Sequence, residues 1–331
     1  MMVFRTVVNI PDPGFRIEPC EEMLFVGSCF ADSIGQRFVE ERFRATVNPY
    51  GTMYNPASVL HTVERWLPLR LEGGGGRLPR IVFLTLGTNH VYRLKETGEI
   101  VDNCQKRPAA LFQEEQLTVD ECADYLLRIV DVLRSHRPDV QVVFTVSPIR
   151  YRKYGYHESQ LSKATLLLAT EQVCSRLYGL SQTDRVCPCQ SVAYFPAYEI
   201  VLDELRDYRF YKDDMLHPSP QAVEYIWQQL VEHYFSSAAK EFLCEMNRTV
   251  DQTLEMLGDR CKGELGLETA FFGTAEVSHD DDGGTILKKF LDGGKRLAHA
   301  SVVGDILIIV HGDIEIHTEQ DFASFKVYIF Y

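Results

Sequence analysis

The sequence predicts an α/β fold, a central parallel sheet covered by helices on both faces. Two observations carry this. Short apolar runs alternate with amphipathic stretches from Met23 to Phe195. The runs Arg80–Leu86 and Val140–Val146 are apolar at nearly every position, as strands buried on both faces are. The composition agrees: 45% of the 331 residues are hydrophobic and 24% charged, values of an ordinary globular protein.

Residues 1–22, with Pro11, Pro13 and Pro19, read as an extension on the domain surface. The first strand enters at Met23–Gly27, and a helix follows through about Phe43. Asn48–Pro56 is a turn-rich loop. Gly51 and its two Asn-Pro steps fix backbone geometry there, and the Gly51 N–H could point into a site. A helix over Ala57–Trp66 comes next. The four glycines at 73–76 lack phosphate-loop context and make a surface turn.

The second strand, Arg80–Leu86, ends in Gly87-Thr88-Asn89-His90. This puts Asn89 just past a strand's C-terminal end, where open α/β sheets bind ligands. Asp102-Asn103-Cys104 opens a loop. Thr118–His136 is an amphipathic helix, with Tyr125, Leu126, Ile129, Val130 and Leu133 at helical spacing. The strand Val140–Val146 leads into Ser147-Pro148-Ile149-Arg150. A helix over Leu161–Tyr178 and a short strand at Ser191–Phe195 complete the alternation. A last α/β helix begins near Pro220, and a further one spans Ser237–Leu257. From Gly258 the composition changes, and Asp305–Val310, Asp313–His317 and Phe325–Phe330 read as strands. The expected organisation is thus a domain over 1–257 and a small β-rich extension over 258–331.

The net charge of −13 argues against a large nucleic-acid-binding face. No run approaches the roughly 18 apolar residues of a membrane span, and the N-terminus lacks the apolar stretch of a signal peptide. Nine cysteines, an odd number without such a signal, suggest reduced thiols and a cytoplasmic location. Cys187-Pro188-Cys189 has no second pair at zinc-finger spacing, so no metal site is expected.

Two segments carry chemistry. Gly27-Ser28-Cys29-Phe30-Ala31 joins a buried strand to a helix N-terminus, where free backbone N–H groups stabilise an oxyanion or a thiolate. Asp214-x-x-His217 lies in a polar, aromatic loop before the helix at Pro220. A carboxylate three residues before a histidine lets one loop supply a general base and the group that orients it. A nucleophile after the first strand, donors from later loops and an Asp/His pair near the end make a hydrolase layout that needs no cofactor.

This order of parts resembles the SGNH/GDSL hydrolase superfamily, and Gly27-Ser28-Cys29-Phe30-Ala31 resembles the signature of the GSCFA-domain family. Further matching segments are Asn48–Pro56, Gly87-Thr88, Ser147–Arg150, Ser162-Lys163-Ala164, and Tyr194–Phe210 through Asp214–Pro218. The resemblance covers about residues 20–235. It implies a three-layer α/β/α SGNH-like fold and an acyl-ester hydrolase or acyltransferase, with a small-molecule or carbohydrate ester as substrate. A non-catalytic binding protein on the same scaffold is the alternative. Aligned without a gap, Cys29 takes the position of the superfamily's nucleophilic serine and Ser28 that of its aspartate. A one-residue shift makes Ser28 the nucleophile instead. His217 would be the base and Asp214 its partner, with Gly51 and Asn89 as oxyanion donors. Arg150 and Arg209 could bind an anionic part of the substrate, or could instead pair with carboxylates.

Overall fold

A computed structural model describes residues 6–72, 77–102, 104, 107–178, 192–246 and 248, together with four short strands in the C-terminal region. The chain forms two compact units, Met1–Cys244 and Glu245–Tyr331.

The first unit is built on a five-stranded parallel sheet. Its strands are β1 (Glu22–Gly27), β2 (Arg44–Val47), β3 (Ile81–Leu86), β7 (Gln141–Val146) and β8 (Val192–Tyr194), in the spatial order β2-β1-β3-β7-β8. Alternation along each strand divides the side chains between two cores. Leu24, Val26, Val82, Leu84, Val142 and Phe144 face one side. There they pack against α2 (Pro56–Glu72), α3 (Val119–His136) and α4 (Tyr156–Tyr178). Met23, Phe25, Ile81, Phe83 and Val143 face the other, against α1 (Cys29–Glu40) and α6 (Pro220–Tyr234). Phe25 stacks on Phe83 at 4.7 Å between ring centroids, and Phe38 of α1 meets Trp227 of α6 edge-on at 4.9 Å. The result is the three-layer α/β/α sandwich that the alternation predicts.

The helix ends follow capping rules. Thr118 caps α3 in a reciprocal box with Glu121, and Ser219 caps α6 ahead of Pro220. Helix α2 runs past the expected end at Trp66 and continues through Pro68, burying Leu67.

Two features depart from the expected element list. Strand β2 lies at the sheet edge where the first helix was expected to end. Between β3 and α3 an antiparallel insert forms, β4 (His90–Leu94), β5 (Ile100–Val101) and β6 (Phe112–Gln116), in the order β5-β4-β6. A one-turn helix α5 (Ala197–Glu199) continues into the wider turn Ile200–Glu204 after β8.

In the second unit β10 (His299–Val303) pairs antiparallel with β11 (Ile306–Val310), and β12 (Val327–Ile329) with β9 (Gly273–Ala275). Strands β11 and β12 coincide with expected ones. The expected strand Asp313–His317 and the expected boundary at 257/258 lie outside the described residues. No helix among the described residues is long and apolar enough to cross a membrane.

Candidate active site

The chain turns sharply at Gly27. A β-carbon there would stand 2.1 Å from the Thr85 carbonyl oxygen, so only glycine lets β1 leave the sheet against β3. Three contacts lock this turn. Ser28 N donates to Thr85 O at 3.1 Å, Gly27 N to the Asn48 side-chain oxygen at 2.8 Å, and the Asn48 amide to Asp32 at 2.6 Å. Burial pushes the Asp32 carboxyl above its ordinary range.

The turn assigns different jobs to adjacent residues. Ser28 is the N-cap of α1, 2% exposed, and its hydroxyl accepts from Phe30 N at 3.3 Å. Cys29 is the first residue of the helix and only half-buried, with its Sγ 3.6 Å from the Tyr54 hydroxyl. The first-turn N–H groups of a helix have no intrahelical partner, so the Cys29 backbone adds a donor beside its own thiol.

A cleft of about 490 Å³ opens here. It lies at the C-terminal ends of β1, β3 and β7, where the chain passes to β2 on one side of β1 and to β3 on the other, the switch point of the sheet. Ser28 and Cys29 line it after β1, Gly87 and Thr88 after β3, and Ser147 after β7. The loop before α6 brings His217 to the same cleft.

That loop is a tight hairpin. Lys212 N donates to His217 O at 2.8 Å, and Met215 sits at its tip with φ of 59°. Asp214 Oδ1 accepts from the backbone N–H of Leu216 and of His217 at 2.8 and 3.0 Å, while Oδ2 lies 2.5 Å from His217 Nδ1. These bonds, led by the one from His217 N, hold the Asp214 carboxyl well below the usual carboxylate range. Arg150 braces the hairpin, its N–H donating to Leu216 O at 3.1 Å and its guanidinium to Met215 O at 3.2 Å.

Cys29, Ser28, His217 and Arg150 therefore come together at the cleft, with Asp214 on His217. Three expected participants do not. Gly51 is exposed, and its N–H closes a turn onto Asn48 O at 2.8 Å. The buried Asn89 amide donates to Leu117 O at 2.7 Å, anchoring β3 to the start of α3. Arg209 lies outside the cleft, 3.8 Å from Asp207, the carboxylate pairing that its sequence left open.

Other residues hold the cleft's shape. The Tyr54 carbonyl accepts from both Gly87 N and Thr88 N at 2.8 Å. Ser162 Oγ accepts from Asn89 N at 3.0 Å, and Lys163 Nζ donates to Gly87 O at 2.7 Å. Lys163 is 3% exposed, and burial draws its pKa down to about 7. Tyr54, Arg152, Lys153 and Lys163 all line the cleft; none was expected at the site, and Lys163 was named only within the matching segment Ser162-Lys163-Ala164. Lys163 did leave a signal. It sits in register with Leu166, Thr170 and Val173 on the buried face of α4, where a lysine has no place unless it reaches a polar site.

The fold and this turn define an α/β/α protein whose cysteine opens a helix at the switch point of a parallel sheet. The chain belongs to the GSCFA family, whose pattern matches residues 22–70 and 78–230. Among solved structures it is similar to a proposed platelet activating factor from Streptococcus pneumonia, with 15% identity over 65% of this chain and 84% of that one, at a TM-score of 0.41. It is also similar to an acetyl esterase mutant with acetate ion (12%, covering 69% and 99%, TM-score 0.37). A third is a carbohydrate esterase family 3 enzyme from Talaromyces cellulolyticus (11%, covering 63% and 94%, TM-score 0.35). Likenesses this distant assign neither activity nor substrate. No curated protein matches the chain.

Proposed function

We propose that this protein is an acyl-ester hydrolase with Cys29 as its nucleophile. One observation carries the reading. A half-exposed thiol at the first position of a helix shares a cleft with a histidine whose Nδ1 is held by a carboxylate.

The chemistry follows from these positions. His217 Nε2 takes the thiol proton as Cys29 Sγ attacks the ester carbonyl. Asp214 fixes the tautomer and faces the imidazolium that forms. The tetrahedral oxyanion receives the Cys29 N–H and the Tyr54 O–H. Thr52 Oγ1 donates to the Tyr54 oxygen at 3.3 Å, which leaves the tyrosine's own proton free to donate onward. Burial raises the Tyr54 pKa and keeps that proton in place. Collapse breaks the ester C–O bond, and the leaving alkoxide takes the proton from His217. Water, deprotonated by His217, then attacks the thioester and releases the acid and the free thiol.

Ser28 fits this scheme as a cap, since its oxygen is committed to Phe30 N. The substrate is a small-molecule or carbohydrate ester, and the cleft volume suits a ligand of that size. Hydrolysis of p-nitrophenyl acetate by the wild type, Cys29→Ala and His217→Ala tests the reading. The expected result is turnover in the wild type with loss of about 10²-fold or more in each variant. Equal rates in all three would end it.

A further inference from the structure

The cleft holds positive charge that the hydrolytic machinery does not use. Arg150, Arg152, Lys153 and Lys163 line it, and among the described residues no aspartate or glutamate does. In a chain of net charge −13 this runs against the average. Lys153 is partly compensated, 3.4 Å from Glu114 and donating to the Tyr92 and Tyr154 hydroxyls. The other three have no carboxylate partner among the described residues.

Arg150 and Lys163 donate to the main-chain carbonyls of Met215 and Gly87, which satisfy hydrogen bonds without cancelling charge. Arg152 is exposed and has no carboxylate within ion-pairing distance among the described residues. A buried cation without a counter-ion is costly, and Lys163 answers by its lowered pKa. An anion entering the cleft would supply the missing charge. It would also find guanidinium N–H pairs that match the two oxygens of a carboxylate or phosphate.

We propose that the ester this cleft takes carries an anionic group, a carboxylate or phosphate, received by Arg150, Arg152 and Lys163 while its carbonyl lies at Cys29. The position of the carbonyl rests on the hydrolase reading. The anion site does not.

The test compares alkylation of Cys29 in the full chain by iodoacetate and by neutral iodoacetamide. Activation of the thiol speeds both reagents, so their ratio reports attraction of the anionic one, and Arg152→Ala separates the basic cluster from the helix N-terminus and His217. The expected ratio is about tenfold above that of N-acetylcysteine, equivalent to one added charge-assisted contact. It falls toward the reference value in Arg152→Ala and at high salt. Arg209→Ala, outside the cleft, leaves it in place. A wild-type ratio equal to the reference, or one that Arg152→Ala does not move, overturns the proposal.

Ester pairs locate the anion. The acyl side is probed by p-nitrophenyl hemisuccinate against p-nitrophenyl acetate, and the alcohol side by p-acetoxybenzoate against its methyl ester. A higher kcat/KM for the anionic member of either pair, lost in Arg152→Ala, supports the site, and parity in both overturns it. Hydrolysis that survives Cys29→Ala would instead defeat the hydrolase reading and leave the alkylation ratio as it is.

Discussion

The thiol of Cys29 lies 3.6 Å from the hydroxyl of Tyr54, a residue 25 positions further along the chain. The contact joins the first turn of α1 to the loop that also holds Gly87 and Thr88 through the Tyr54 carbonyl. An oxygen on a carbon bonded to Sγ would come within reach of that hydroxyl. Tyr54→Phe keeps the ring and removes only the donor. We expect kcat for p-nitrophenyl acetate to fall about 10²-fold with KM little changed, the behaviour of a lost oxyanion donor. A rise in KM at constant kcat would mean that Tyr54 serves binding instead.

Ser28 is predicted to matter for stability rather than chemistry. Its hydroxyl caps α1, and replacing an N-cap serine by alanine costs about 1 kcal/mol. Ser28→Ala should unfold at lower denaturant with unchanged m-value, and its kcat should stay within a few-fold of wild type. Loss of activity comparable to that of His217→Ala would move the nucleophile one residue back.

Asp214 gives a pH-dependent signature. Its pKa in the fold is depressed by the His217 and Leu216 N–H bonds, so the stability it contributes is fully present above the ordinary carboxylate value of about 4. That contribution is lost as pH falls below it. The difference in Tm between wild type and Asp214→Asn should be constant near neutral pH and close in acid. A difference that widens in acid would contradict the assignment.

Lys163 gives a dependence of the same sign in a higher pH window. Its folded pKa of about 7 lies below the unfolded value of about 10.4, so between them the unfolded chain binds more protons and stability rises with pH. Relative to Lys163→Met, the wild type should gain stability from about pH 7 to about pH 10 and show no such trend below 7, read by denaturant unfolding across that range. A flat difference would mean that Lys163 stays charged in the fold.

The sheet was legible because β1, β3 and β7 are buried on both faces, which leaves runs such as Ile81–Leu86 with almost no polar residue. Strand β2 was hidden because Arg44–Val47 is a short edge strand with no apolar run. The insert was hidden because Phe112–Gln116 exposes most of its length and carries charges that no alternation rule picks out. At the site, Cys29 and the Asp214/His217 pair were visible because one loop or one turn supplies each. Gly51 and Asn89 were misplaced because a residue type in the right order does not fix where its donor points. Tyr54 and Arg152 come from distant loops, and only the folded chain brings those loops to one cleft. Lys163 was within reach of sequence reasoning, as a lysine on an apolar helix face.

The most direct measurement is the site of acylation. The protein is mixed with p-nitrophenyl acetate, quenched in acid within the first turnovers, digested and mapped by mass spectrometry. An acetyl group is expected on the peptide carrying Cys29, on the sulfur rather than on Ser28, released by hydroxylamine at neutral pH and accumulating in His217→Ala only slowly. An acetyl group on Ser28, or undiminished turnover by Cys29→Ala with no adduct on this peptide, would contradict it.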